Sequence, residues 1–214
     1  MKRRCVIIGG AGIKNYQTLW DYLNPDDFNI FCDSGLLHRE ALGAEPHLIV
    51  GDFDSHENPH LNVETIVLPC EKDDTDTVYA VKEAVRRGFD DFLLLGAAGG
   101  RLDHTLGNLS ILLSLHAQGK RALLVDDYSE MEVVGREPAY IDGSFSFFSL
   151  LNISGTARGI AVEDAKYPLR DAEIPCTYQY GVSNEVLPGR RARVSVEEGE
   201  LLLVRVRRGS GTVF

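Results

Sequence analysis

Two groups of carboxylates, each following an apolar run, are the residues of this chain best placed to do chemistry. Pro46-His47-Leu48-Ile49-Val50 reads as a short buried strand and leads into Gly51-Asp52-Phe53-Asp54-Ser55, where two carboxylates flank one apolar residue. On extended backbone, side chains two apart point the same way, so Asp52 and Asp54 face one side. Thr65 to Pro69 repeats the plan and runs into Glu71-Lys72-Asp73-Asp74-Thr75-Asp76, which opens a helix through Val78, Val81 and Val85. Like charges this close repel, and a divalent cation relieves the repulsion. Asp and Thr also suit turns and helix N-caps, so either group alone has a plain structural use. Their recurrence at successive strand ends is what favours a metal site.

A third loop, Gly99-Gly100-Arg101-Leu102-Asp103-His104, separates the apolar run Phe92 to Leu95 from a long helical pattern that stops at Gly119. Glycine lets backbone N–H groups approach an anion closely, and the forked guanidinium of Arg101 matches phosphate oxygens. The other use of Arg101 is an ion pair with Asp103. Phosphate on this loop, neutralised by an ion on Asp52 and Asp54, would make one site of the three segments. His104 suits a helix start, a base or a phosphate donor, and is left outside the catalytic set. The Walker A pattern is absent, since Gly119-Lys120 is followed by Arg121. Gly9-Gly10-Ala11-Gly12 lacks the dinucleotide-binding spacing and reads as a tight turn.

The elements that must position these loops follow from the apolar pattern. Strands are expected over Cys5 to Ile8, Phe28 to Cys32, Phe92 to Leu95 and Ala122 to Val125, besides the two before the carboxylates. Helices are expected over Tyr16 to Leu23, Leu36 to Leu42, Thr75 to Arg87 and from His104 to Gly119. Alternation of this kind predicts an α/β domain over residues 1–130, a mainly parallel, Rossmann-like sheet with helices on both faces. Asp33, Asp52, Asp54, Asp76 and Asp103 then fall at the carboxyl ends of its strands, where such sheets bind ligands. From Met131 onward short alternating runs and Gly-containing turns replace the helical period. Residues 131–214 are expected to form a smaller all-β sandwich or barrel.

The 214 residues, 44% apolar, are enough for a substantial core. A formal net charge of −10 argues against nucleic acid and against an anionic membrane surface as partners. Cys5, Cys32, Cys70 and Cys176 show no metal-ligand or redox spacing, no apolar stretch reaches the length of a membrane span, and no signal-peptide core follows Met1. A reducing cytoplasm is the expected setting.

Taken in order, Gly51-Asp52-Phe53-Asp54-Ser55, Lys72-Asp73-Asp74-Thr75-Asp76 and Gly99-Gly100-Arg101-Leu102-Asp103-His104 with Asn108 resemble the thiamine pyrophosphokinase (thiamine diphosphokinase) family. Tyr167-Pro168-Leu169 and Gly181-Val182-Ser183-Asn184 are similar to further motifs of that family, so the resemblance covers nearly the whole chain. It implies an α/β domain binding Mg-ATP, a β-domain that helps hold thiamine, and a homodimer with its sites at the subunit interface. The implied reaction moves the pyrophosphoryl group of ATP to the thiamine hydroxyl and releases AMP. Carried over, Asp52, Asp54 and Asp76 would hold Mg2+, and Asp33, Thr75, Arg101, Asp103, Thr105 and Asn108 would line the ATP site. Ser183 and Asn184 would reach thiamine, and Asp76 or Asp103 would be the base, completing a catalytic set of Asp52, Asp54, Asp76 and Asp103. Two departures stand out: Cys32-Asp33-Ser34-Gly35 replaces Ala-Asp-Gly-Gly, and Glu185-Val186 stands where some relatives carry an aromatic residue.

Two other readings compete. Asp52-x-Asp54 after an apolar strand, with Val125-Asp126-Asp127, resembles a phosphatase of the haloacid dehalogenase type, which leaves Thr75-Asp76 and Gly99-Gly100-Arg101 without a task. A non-catalytic sensor of Mg-nucleotide or thiamine is the other.

Overall fold

Strand β1 (Arg4–Ile8) shows how the first half is built: Cys5, Val6, Ile7 and Ile8 are all fully buried, so both faces of the strand are covered. A computed structural model describes residues 4–53, 61–71, 73–153 and 155–207. By their contacts they divide into two compact units, Met1–Asp127 and Tyr128–Phe214. No helix among the described residues is long and apolar enough to cross a membrane.

The first unit contains β1, β2 (Phe28–Cys32), β3 (Leu48–Gly51), β4 (Glu64–Val67), β5 (Asp91–Leu95) and β6 (Arg121–Val125). They lie in the order β6-β5-β1-β2-β3-β4, and every pairing is parallel. Continuous apolar runs such as Phe92-Leu93-Leu94-Leu95 are what strands buried on both faces require. One side of the core joins Val6, Ile8, Phe31, Ile49, Leu93 and Leu95 to Leu19, Leu36 and Leu42.

Helices α1 (Gln17–Trp20), α2 (Arg39–Leu42), α3 (Asp76–Arg86) and α4 (Leu102–Ala117) connect the strands. Two of them depart from expectation. α1 is a single turn rather than a helix from Tyr16 to Leu23, since Asn24 and Pro25 follow at once and Arg4 ties down the Tyr22 carbonyl. Between β2 and α2 stands a 3-10 helix, Asp33–His38, where a plain helix from Leu36 was expected. Asp33 causes this by turning the chain at the first residue after the strand, with φ of 41°. α2 ends at Gly43 with φ of 62°, the left-handed stop that glycine allows.

Among its described residues the second unit contains only strands: β7 (Ser129–Val134), β8 (Ala139–Ile141), β9 (Phe145–Leu151), β10 (Thr156–Glu163), β11 (Leu169–Pro175), β12 (Gly181–Asn184), β13 (Ala192–Ser195) and β14 (Leu201–Arg207). They form two antiparallel sets, β12-β9-β14-β7 and β11-β10-β13-β8. Phe148, Leu150, Leu201 and Leu203 of the first share a core with Ile160, Val162, Ile174 and Val194 of the second, which is a sandwich. The strands of the chain are therefore mixed. The expected mainly parallel sheet describes β1–β6 and not the rest, because among the described residues of the second half no helix makes the crossover that parallel neighbours usually need, and every pairing there is antiparallel.

Candidate active site

The loops after β1 and β5 leave their strands in opposite directions, β1 leading to β2 and β5 to β6, which opens a crevice at the carboxyl end of the parallel sheet. The two loops nearly touch. A Cβ on Gly96 would lie 2.3 Å from the Gly9 carbonyl oxygen, and one on Gly10 only 2.0 Å from Ser34 Oγ. The crevice widens into a cleft of about 610 Å³ lined by the ends of β1, β2, β3 and β5 and by the start of α3.

Five carboxylates line that one cleft: Asp33, Asp52, Asp73, Asp74 and Asp76. The Oδ1 atoms of Asp33 and Asp76 are buried. Close beneath them the Cys32 thiol, itself buried, donates to the Asp76 carbonyl across 3.8 Å. Burial above all, then the charges of Asp76 and Asp33, push that thiol well above its ordinary pKa and keep it protonated. Asp73 is exposed, and Asp74 pairs with Lys82 Nζ at 2.6 Å.

Of the three expected metal ligands, Asp52 and Asp76 line the cleft and Asp54 lies outside the described residues. Among the described residues, no three His, Cys, Asp or Glu side chains come together as a metal-holding group. The carboxylates are nonetheless hard oxygen donors on adjacent segments, the ligand type Mg2+ takes, and they fit such an ion by donor chemistry.

The residues expected to line an ATP site are placed as follows. Arg101 lines the cleft and pairs with Asp103 at 2.5 Å, both side chains exposed. Hydrogen bonding from Arg101 lowers the Asp103 pKa to about 2, and Asp103 itself is not among the lining residues. Thr105 stands behind the loop: its Oγ1 accepts from the Gly99 amide at 3.0 Å and donates to the Arg101 carbonyl at 3.2 Å. Asn108 lines the cleft floor and gives its Nδ2–H to the Ala97 carbonyl at 2.7 Å. Thr75 caps α3, with Oγ1 accepting from the Val78 amide at 3.3 Å.

Several lining residues had no place in the expected set: Gly10, Ala11, Gly12, Ser34, Cys70, Thr77 and His104. The signal for the first three was the glycine turn after the first strand, read as a connection only. Asp127, which the phosphatase reading needs as an acid, instead accepts hydrogen bonds from the backbone amides of Lys14 and Asn15 at 2.8 to 3.1 Å.

Residues 19–124, which hold this cleft apart from its glycine turn, match the family model of the thiamin pyrophosphokinase catalytic domain, and residues 140–201 match that of the thiamin pyrophosphokinase vitamin B1 binding domain. The chain belongs to the thiamin pyrophosphokinase family. It is 26% identical over 221 residues to the thiamine pyrophosphokinase of Bacillus subtilis, covering 96% of this chain and 99% of that one. A crystal structure of the thiamin pyrophosphokinase from Geobacillus thermodenitrificans is similar, with a TM-score of 0.82 at 26% identity over 97% of this chain and 99% of that one. The Candida albicans thiamin pyrophosphokinase shares the fold at 14% identity, with a TM-score of 0.76 over 97% of this chain and 90% of that one.

Within the part matching the family's vitamin B1 binding domain, Ser183 is exposed on β12 with φ of 59°, its amide donating to Ser149 Oγ at 3.0 Å. Asn184 is buried and engaged. Its Oδ1 accepts from the amides of Tyr167 and Glu185 at 3.0 and 2.9 Å, and its Nδ2–H reaches the Tyr167 carbonyl at 2.7 Å. Asn184 thus joins the two motifs Tyr167-Pro168-Leu169 and Gly181 to Asn184, leaving Tyr167 outward and 57% exposed.

Proposed function

We propose that this chain is a Mg2+-dependent thiamine diphosphokinase: the thiamine hydroxyl oxygen bonds to the β-phosphorus of ATP, the bond from that phosphorus to the α-phosphate oxygen breaks, and AMP leaves. The observation that carries this is a single cleft, in the region matching the family's catalytic domain, that is lined by five aspartates together with Arg101 and its glycines. Transfer of this kind asks for alignment and charge neutralisation more than for covalent help.

Asp52, Asp54 and Asp76 would hold Mg2+, which supplies charge neutralisation to the phosphates when bound. Arg101 would face the phosphates directly, with Asp33 beside the ion. Thr105 and Asn108 act one step back, fixing the loop from Ala97 to Arg101, while Thr75 sets the start of α3. Of the two candidate bases, Asp103 is poorly suited, because Arg101 holds its carboxyl near pKa 2. Asp76, the other candidate, lines the cleft itself. Ser183 supplies an exposed contact for thiamine, and Asn184 shapes the surface around it.

The proposal extends to a homodimer with its sites at the subunit interface. Its support is α4, whose outward side carries Leu102 and Leu106, 70% and 58% exposed, followed by the half-buried Leu109 and Leu113 at helical spacing. The four cysteines are free thiols, which suits the cytoplasm.

Incubation with ATP, Mg2+ and thiamine, followed by mass analysis, tests the reaction. AMP and thiamine diphosphate in equal amounts are expected, with both lost in Asp52→Asn. Inorganic phosphate alone, or no turnover by the unmodified protein, would refute the assignment.

A further inference from the structure

The turn Gly9–Gly12 reads from the sequence as a plain connection, but its hydrogen bonding points to a ligand. Gly10, Ala11 and Gly12 line the cleft alongside Asp33, Ser34 and Asp76. The amides along the turn alternate in use. Gly9 N–H donates to the Leu95 carbonyl at 2.8 Å and Ala11 N–H to that of Gly96 at 2.9 Å, whereas the Gly10 and Gly12 amides have no acceptor among the described residues. Both of these glycines are exposed. Exposed backbone N–H groups without an acceptor, on a glycine turn at a strand end, are available to bind an anion.

The turn is also held from behind by side chains that the proposed chemistry does not use. The Ala11 carbonyl accepts from His38 Nε2 at 3.0 Å, and His38 Nδ1 accepts from the Tyr16 hydroxyl at 2.8 Å. That pair of bonds fixes the neutral ring in one tautomer. His38 is buried, so an apolar ring could fill its space, but the Ala11 carbonyl would lose its donor. Further along, the Asp127 carboxylate takes the amides of Lys14 and Asn15. Ala11 is thus gripped on both sides, its N–H by Gly96 and its C=O by His38, and because the Ala11 carbonyl shares a peptide plane with the Gly12 N–H, His38 sets the direction of the Gly12 amide.

We propose that the Gly10 and Gly12 amides receive part of the polyphosphate of the nucleotide, and that His38, acting through the Ala11 carbonyl, is the positioning residue that keeps the Gly12 amide turned toward it. This rests on the reading that ATP occupies the cleft. Steady-state kinetics of the full chain with Mg2+, varying ATP and thiamine separately, provide the test. In His38→Phe the KM for ATP should rise about tenfold, the scale of one well-placed hydrogen bond, with the KM for thiamine within about twofold of its starting value. His38→Gln should recover most of the loss, since its amide can donate to Ala11. Should His38→Phe not fold, Tyr16→Phe removes only the hydroxyl that orients the ring, and a rise of about threefold in the KM for ATP alone is expected. An unchanged KM for ATP in the folded variant, or an equal rise in both KM values, overturns the proposal while turnover by the unmodified protein upholds the kinase reading. Absence of turnover in the unmodified protein would sink both.

Discussion

Asp33 and Asn184 are buried to the same degree, 7% exposed, and each stands at a strand end, one in each unit. Asp33 sits in left-handed backbone at the end of β2 with its carboxylate in the wall of the cleft. Asn184 sits in the sandwich and uses both ends of its amide to hold Tyr167. The contrast follows from how the two sheets are covered. Strands buried on both faces leave few polar positions along their length, so chemistry collects where they end, on loops whose strain is borne by the sheet beneath. A sandwich buries one face of each strand, and its motif residues are spent on stitching long connections to the sheet.

If that contrast is right, the first unit should lose activity without stability and the second stability before activity. The largest effect is expected for Asp52→Asn, which should cost at least about 100-fold in turnover, the scale of losing one preorganised charge contact. Its melting temperature should stay within a few degrees, because Asp52 lies outside the apolar core. A parallel loss of fold in Asp52→Asn would erase the distinction. Asn184→Ala comes second. Three hydrogen bonds vanish and part-buried backbone groups of Tyr167 lose a partner, a cost of about 2 to 3 kcal/mol, measurable by chemical denaturation. Unchanged stability there would mean that Asn184 is not the stitch between the two motifs.

The smallest expected effect sharpens the picture of the first unit. Burial lowers the His38 pKa below its ordinary 6.5, against the opposing pull of the Ala11 hydrogen bond and the Asp127 charge. Tyr16 is the other titratable group in contact with the ring. With its folded pKa depressed, His38 binds a proton less readily in the folded than in the unfolded chain. Its contribution is therefore full above about pH 6.5 and is lost as the pH falls through the folded-state value. Thermal melts of the natural protein and His38→Gln between pH 7.5 and 5 (values chosen to bracket about 6.5) should diverge on the acid side, the variant losing less. Parallel curves would contradict it.

Much of this architecture can be read from the chain. The unbroken apolar runs of β1 and β5 specify strands covered on both sides, and the switch to alternating residues after Met131 specifies the sandwich. The carboxylate loops are equally legible, since Asp52 and Asp76 each follow a strand and line one cleft. What local pattern does not carry is long-range pairing. Nothing near Thr105 or Asn108 indicates that their side chains bind the Gly99 amide and the Ala97 carbonyl instead of facing a ligand. The early turn at Asp33 is hidden because it depends on the close approach of Gly51 to its Cβ, 3.1 Å from where a side chain would begin. Likewise Gly9–Gly12 gains its meaning only when Gly96, 87 residues on by its number, packs against it.

The central claim is that carboxylates from separate loops hold one ion together with the phosphates of ATP. Calorimetric titration of ATP with and without Mg2+, on the natural protein and on Asp76→Asn, tests it most directly. Affinity at least about tenfold higher with Mg2+, about 1.4 kcal/mol, and loss of that difference in Asp76→Asn are the predicted results. ATP binding of equal strength with and without the metal in the natural protein would contradict the account.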